Sequence, residues 1–348
     1  MRIAQVAPLN ESVPPRLYGG TERVVSYLTE ELAGRGYPVT LFASGDSRTG
    51  ARLVAPCARA LRLDPSCVDT LAPHVLELEL VHREIESFDI VHFHTDYSHF
   101  PLTRRWGGAS VTTLHGRLDL PELAPLYREF RELPLVSISD AQRTPLPWAN
   151  WQASVHHGIP LDLYRFGPGR GRYLAFLGRI SPEKGVDRAI EIARRSGMEL
   201  RIAAKVDRVD REYFADVIAP LLREPGVEWI GEITDAEKGE FLGEACALVL
   251  PIDWPEPFGL VMVEAMACGT PVIAMRRGSV PEVLEHGVTG FVVDDVDAAV
   301  AAVGRLPELR RERCREVFER RFSAGRMARD YLAIYRRLTT GAADSLVA

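Results

Sequence analysis

The chain of 348 residues has no basic excess, no long apolar run and no paired cysteines. Lys and Arg number 42 against 48 Asp and Glu, giving a formal net charge of -6. That balance, with no stretch of interleaved basic and aromatic residues, argues against a nucleic-acid partner. No apolar stretch approaches the roughly 20 residues needed to cross a bilayer. The opening segment Met1–Ala7 is too short an apolar run for a secretory leader and turns polar at Asn10. Cys57, Cys67, Cys246, Cys268 and Cys314 form no CxxC pair, and no nearby His completes a zinc-finger spacing. Such a scattered set reads as reduced thiols used in packing. The expectation is a cytoplasmic protein, soluble or at most peripheral at the inner face of a membrane.

What is present is an ordinary globular composition, 46% hydrophobic and 26% charged, in a chain long enough for two domains. Apolar runs at Ile3–Ala7, Tyr37–Ala43, Asp89–Phe93, Ser110–Leu114, Leu135–Ile138 and Ala153–His156 read as short strands. Helical spacing at Thr21–Ala33 and Val75–Ile85 falls between them. A Gly- and Pro-rich stretch at Tyr164–Arg172 reads as a linker. The alternation then resumes. Strands are expected at Tyr173–Leu177, Glu199–Ala203, Val227–Ile230, Ala247–Leu250, Pro271–Ala274 and Gly290–Val293. Helices are expected at Val186–Arg195, Arg211–Leu222, Asp235–Glu244 and Phe258–Ala267. Met327–Leu338 carries a helical apolar stripe, and Thr339–Ala348 reads as a frayed tail. The pattern predicts an α/β protein with two Rossmann-like, doubly wound domains, 1–165 and 172–324, the first completed by a helix at 325–340.

Open parallel sheets bind ligands beyond the carboxyl ends of their strands, so residues just after strands carry the functional reading. The most informative segment is Glu256-Pro-Phe-Gly-Leu-Val-Met-Val-Glu264. Phe258, Gly259 and Leu260 are expected to open a helix whose first-turn amides suit a phosphate. Glu264 stands alone among apolar helical neighbours. A carboxylate there costs several kcal/mol unless it is paired or hydrogen-bonded. Vicinal ribose hydroxyls would supply donors; a buried Lys or Arg is the alternative. A second segment, Gly178-Arg179-Ile180-Ser181-Pro182-Glu183-Lys184-Gly185, offers close backbone approach at its glycines. Arg179 offers a bidentate fork and Lys184 a point charge.

Gly19-Gly20 enter the first long helix after the loop Pro8–Tyr18 and suit an anion, although they form no dinucleotide fingerprint. His115-Gly116 end a strand, where an imidazole can bond a sugar hydroxyl. His92, His94 and His99 suggest a metal cluster at first sight, but no carboxylate has matching spacing, so no metal is expected. Asp294-Asp295 read as a solvated loop.

Together these motifs resemble the retaining GT-B glycosyltransferases of family 4. The Glu-x7-Glu motif of that family is matched by Glu256 and Glu264. Its Gly-Arg-x3-Glu-Lys-Gly motif is matched by Gly178–Gly185, its Gly-Gly loop by Gly19-Gly20 and its His-Gly by His115-Gly116. Ala267–Ala274, Pro281–Gly290 and Phe322–Leu338 extend the likeness over nearly the whole chain. Two sequence features depart from it: His157-Gly158-Ile159-Pro160 at the hinge, and Asp253-Trp254 before Glu256. The resemblance implies two domains facing a central cleft, with a C-terminal helix crossing back to the first.

It also implies hexosyl transfer from a nucleoside diphosphate sugar to a hydroxyl, with retention and without a metal or bound cofactor. A UDP-sugar is favoured and a GDP-sugar is the alternative. The acceptor, a saccharide, a lipid-linked sugar or a small molecule, is left open. By the same resemblance Glu264 would hold the ribose, and Arg179 and Lys184 the diphosphate. Gly178 and the Phe258–Leu260 amides would assist them. Glu256 and His115 would contact the sugar, and Glu232 or Ile233 would lie near the base. A nucleotide-sugar epimerase and a non-catalytic nucleotide-sugar-binding protein share these motifs and stand as alternatives.

Overall fold

Short runs that are buried on both faces build two separate all-parallel sheets in this computed structural model, which describes residues 1–17 and 19–345. The first has seven strands: β1 Ile3–Val6, β2 Val39–Phe42, β3 Arg52–Val54, β4 Ile90–Phe93, β5 Ser110–Thr113, β6 Leu135–Ser137 and β7 Trp151–Ser154. Their order is β3-β2-β1-β4-β5-β6-β7. Every residue of β1, β2 and β4 is buried, as expected where helices cover both faces of a parallel sheet. The second sheet has six strands: β8 Tyr173–Arg179, β9 Glu199–Lys205, β10 Val227–Gly231, β11 Ala247–Leu250, β12 Val272–Met275 and β13 Gly290–Val293. Their order is β10-β9-β8-β11-β12-β13. In both sheets the chain winds outward from the first strand and then reverses. The topological switch therefore lies between β1 and β4 in one and between β8 and β11 in the other.

The chain divides into unit 1, Met1–Pro160 with Ala324–Ala348, and unit 2, Leu161–Ser323. The boundary differs from the expected one. Residues Tyr164–Arg172 are not a free linker but part of unit 2, because their backbone is stitched onto it. Gly167, Gly169 and Gly171 donate to the carbonyls of Cys268, Gly243 and Glu244 at 2.8–2.9 Å. The Arg311 guanidinium bonds the carbonyls of Gly167, Ala245 and Gly243 and the Thr270 hydroxyl. A Cβ at Gly167 would stand 2.2 Å from the Gly243 Cα, so only glycine permits that contact.

The C-terminal helix, Ala324–Ser345, returns to unit 1. It docks through Arg326, which donates to the carbonyls of His156 and His157, and through Ala324, whose amide donates to Ile159. Tyr331 and Tyr335 are fully buried on its inner face. The expected frayed tail is instead helical from Thr339 to Ser345, and its last three residues lie outside the described residues. The residue ending the Pro8–Tyr18 loop also lies outside them.

Three further expectations change. Strand β3 was not foreseen; it is a three-residue edge strand opening on a charged Arg52, with too little alternation to stand out. The helix expected at Arg211–Leu222 contains a wide π turn at Phe214–Ile218, just before Pro220, which has no amide to continue the ladder. The helix expected from Phe258 begins at Leu260, with Gly259 as its cap at φ 75° and Phe258 buried outside it. Among the described residues no helix is long and apolar enough to cross a membrane.

Candidate active site

At the switch point of unit 2 the loops after β8 and β11 meet. Gly185 makes this possible. It adopts φ 71°, and a Cβ there would stand 2.4 Å from the Pro251 carbonyl oxygen. Either fact alone favours glycine. The Asp253 amide donates to the Glu183 carbonyl at 2.8 Å and locks the two loops.

This junction brings Lys184 and Glu256 together. Lys184 Nζ lies 2.5 Å from Glu256 Oε2, with the two side chains 18% and 11% exposed. Trp254 Nε1 donates to the same carboxylate oxygen at 2.9 Å, and its ring lies 4.6 Å from Lys184 Nζ. Trp254, part of one of the two departures from the family pattern, is thus a third member of the cluster. The loop after β12 closes over the Glu256 backbone. Ser279 donates to the Glu256 carbonyl at 2.9 Å, and Gly278, at φ 51°, has no room for a Cβ, which would meet that oxygen at 2.3 Å. Sequence reading missed Gly278 and Ser279. Their one signal is a Gly-Ser pair directly after a buried strand.

The helix Leu260–Ala267 starts beside this cluster. A Cβ at Gly259 would stand 3.3 Å from Glu256 Cγ, and no side chain caps the helix. Its first-turn amides therefore keep the partial positive charge that favours an anion. One turn on, Glu264 is buried, and its Oε1 accepts from Lys238 at 3.1 Å and from Tyr164 at 3.4 Å. The buried-cation alternative is therefore the state observed. Lys238 also pairs with Asp235 at 3.2 Å, at the start of the helix Asp235–Glu244.

Arg179 ends β8. Its guanidinium pairs with Glu183, with Asp207 at 3.5 Å and with Asp210 at 3.6 Å, and so is turned toward carboxylates. Burial raises the Asp210 carboxyl above its ordinary range despite the Arg179 charge. Gly178, the residue before Arg179, has open space around its Cα; the nearest atom a Cβ would meet is 3.9 Å away. Glu232 and Ile233 follow β10, at the outer edge of the sheet, and lead into the capping box of Thr234 and Glu237. Asp295 caps the helix Val296–Gly304 and Asp294 pairs with Arg276, which accounts for that acidic pair.

In unit 1 the Gly19-Gly20 turn differs from the expected anion seat. The helix Gly20–Gly34 carries its own buried carboxylate, Glu22, in its first turn, and a Cβ at Gly19 would stand 3.3 Å from Glu22 Oε2. Burial first, and then the Glu11 charge, push Glu22 up from its ordinary value, although its own amide opposes them.

His115, after β5, is brought to His94 and His157. Its Nε2 lies 2.9 Å from His94 Nδ1, and its ring stacks on His157 at 5.2 Å. Burial pushes its pKa down to about 3, so the ring is neutral. His92 and His94 share a face, as their spacing predicts, with ring centroids 4.0 Å apart. His99 stacks separately on Phe93 at 3.7 Å and bonds Thr112. Among the described residues no group of three or more His, Cys, Asp or Glu is arranged to hold a metal.

Known proteins resemble the chain in both halves. Residues 18–153 match Glycosyltransferase Family 4 and residues 167–320 match Glycosyl transferases group 1. The chain is 30% identical to the alpha-maltose-1-phosphate synthase of Mycobacterium tuberculosis (strain CDC 1551 / Oshkosh), over 87% of this chain and 88% of that protein. It is 25% identical to the phosphatidyl-myo-inositol mannosyltransferase of Mycobacterium leprae (strain TN), over the whole of both. Among solved structures, AviGT4, a glycosyltransferase involved in avilamycin A biosynthesis, superposes with a TM-score of 0.75 at 25% identity, covering 98% of each chain. Anabaena HepE, solved with UDP and glucose, gives 0.75 at 17% identity, over 97% of this chain and 100% of that one. The paired sheets, the Glu256–Glu264 segment at the second switch point and these likenesses converge on one conclusion: the chain is a GT-B glycosyltransferase of family 4.

Proposed function

We propose that the protein transfers a hexosyl group from a nucleoside diphosphate sugar to an acceptor hydroxyl, with retained configuration and without a metal ion. The observation that carries this reading is the Lys184–Glu256–Trp254 cluster beside the uncapped start of the helix Leu260–Ala267. An ammonium and free amides at one point can take up the charge of a departing diphosphate, the task a divalent cation performs elsewhere. Solved complexes of HepE hold UDP and UDP-glucose, which favours a uridine donor over a guanosine one.

In this reading Lys184 and the first-turn amides bind the diphosphate. Glu256 shares its carboxylate between Lys184 and a sugar hydroxyl, and Glu264 exchanges part of its Lys238 contact for the ribose hydroxyls. Arg179 joins the diphosphate only as its two longer contacts, to Asp207 and Asp210, yield. The leaving oxygen takes the acceptor's proton, so no pair of acid and base carboxylates is required. His115 is a neutral partner for a hydroxyl. Acceptors include saccharides, lipid-linked sugars and small molecules. The lipid named in the mannosyltransferase relative makes peripheral membrane contact part of the proposal.

A thermal-shift screen of UDP-, GDP- and ADP-sugars tests the donor, since a ligand bound only to the folded state raises Tm. NMR of the product's anomeric proton tests retention. Turnover abolished by EDTA, or an inverted product, overturns the corresponding part. Donor isomerisation without an acceptor assigns the protein instead as an epimerase.

A further inference from the structure

Six buried side chains of unit 1 form one continuous hydrogen-bonded line. It runs from the C-terminal helix, beneath the carboxyl edge of the sheet, to His115. Tyr331 Oη lies 2.9 Å from Thr113 Oγ1, which lies 2.7 Å from His92 Nε2. His92 Nδ1 lies 2.6 Å from Tyr335 Oη. Gln5 Nε2 donates to Tyr335 Oη at 3.0 Å. Gln5 Oε1 lies 2.9 Å from His94 Nε2, and His94 Nδ1 lies 2.9 Å from His115 Nε2. Gln5, His92, Thr113, Tyr331 and Tyr335 have no exposed surface, and His94 has 2%.

Bond directions follow from what each atom can do. The Gln5 carbonyl oxygen only accepts, so His94 donates from Nε2. Burial lowers the His94 pKa well below its ordinary value, so the ring is neutral and its Nδ1 carries a lone pair. Therefore His115 donates from Nε2. It too is neutral, which leaves its Nδ1 unprotonated. That nitrogen is buried and has no hydrogen-bond partner among the described residues. On the other side, Tyr335 accepts from Gln5, which leaves its own proton available to His92 Nδ1.

We propose that Gln5, with its amide nitrogen toward Tyr335 and its oxygen toward His94, fixes the tautomer of His115, so that Nδ1 is offered as a hydrogen-bond acceptor to a hydroxyl of the bound sugar. A phosphate oxygen or a carbonyl brings no proton and gains nothing there. The position therefore selects a hydroxyl-bearing group, and Gln5 and Tyr335 act as positioning residues that never touch it. The naming of a sugar rests on the glycosyl-transfer reading; the tautomer does not. The polarity turns on the Gln5 amide, because reversing it reverses every bond in the line and puts a proton on His115 Nδ1.

The test is the ring-nitrogen spectrum of the full-length protein labelled with 15N-histidine, His115 being assigned by its loss in His115→Asn. The expected result is a pyridine-type Nδ1 and a pyrrole-type Nε2 near neutral pH. Gln5→Glu, whose carboxylate accepts from both Tyr335 and His94, keeps that pattern. Gln5→Leu and Tyr335→Phe populate the second tautomer, and Gln5→Leu lowers kcat/KM for the donor by roughly tenfold, the loss of one neutral hydrogen bond. A proton on Nδ1 of the parent, or a tautomer unmoved by Gln5→Leu, overturns the proposal. If the tautomer is as expected but no nucleotide sugar binds, the relay stands and the donor reading falls.

Discussion

Replacing Lys184 by Met removes the ammonium and keeps the alkyl stem against Trp254. Glu256 then loses its cation but retains the Trp254 bond at 2.9 Å. Breaking a fully buried pair costs about 3–5 kcal/mol, and breaking an exposed one about 0–1 kcal/mol. With the partners 18% and 11% exposed and one hydrogen bond surviving, about 2 kcal/mol is expected. For a domain of this size that lowers Tm by roughly 4–8 °C. If the ammonium also faces the leaving diphosphate, turnover falls on the order of a hundredfold or more. The double variant Lys184→Met/Glu256→Gln separates the two effects. It leaves no unpaired charge, so scanning calorimetry should show most of the lost Tm restored. A donor-consumption assay should show turnover still depressed. Turnover within about threefold of the parent in the single variant refutes the leaving-group role, since removing an oxyanion donor costs far more. Recovery of turnover in the double variant does the same, because Lys184 would then act only by neutralising Glu256.

Other outcomes follow from the same geometry. Glu264→Ala leaves Lys238 with Asp235 and should cost about 1–2 kcal/mol in urea unfolding, less than the loss of a buried charge's sole partner. The variant should also bind UDP and its 2′,3′-dideoxy analogue equally, whereas the parent prefers UDP; a retained preference removes the ribose role. Gly185→Ala sets a methyl against the Pro251 carbonyl at φ 71° and should destabilise unit 2 by about 1–3 kcal/mol, read from the denaturation midpoint. His115, held near a pKa of about 3, stays neutral while folded, but in the unfolded chain it takes a proton below about pH 6.5. The unfolded state then binds more protons. Stability is full above that pH and declines as pH falls toward 3, by about 1.4 kcal/mol per unit for this residue. Buried His92, His94 and His157 are lowered in the same direction. Unit 1 should therefore melt first in acid, and His94→Gln should flatten the slope of its Tm against pH.

Alternation of short apolar runs with helical stripes was enough to read every strand but β3, because strands buried on both faces leave uninterrupted hydrophobic segments. Glu264 was legible as a problem, a lone carboxylate on an apolar helix, and its partner was not. Lys238 sits on another helix, 26 residues away, and nothing local marks it. Lys184 and Glu256 were each singled out, but their separation of 72 positions hides their contact, which depends on the close approach at Gly185. The carboxylates around Arg179 were only partly visible: Glu183 lies four residues on, whereas Asp207 and Asp210 are reached only through sheet pairing of β8 with β9. The spacing of His92 and His94 put them on one face. Tyr335, which orders that face, lies 243 residues beyond His92.

The return of Ala324–Ser345 to unit 1 has a consequence for how the chain is made. The seven strands of the first sheet leave the ribosome early, but the tyrosines that complete its interior leave last, after all of unit 2. A nascent chain stopped before Ala324 has all the parts of unit 2. Its histidine line, by contrast, lacks both tyrosines and has nothing to orient it. The order of synthesis thus puts the setting of His115 at the end, when the rest of the molecule is already in place.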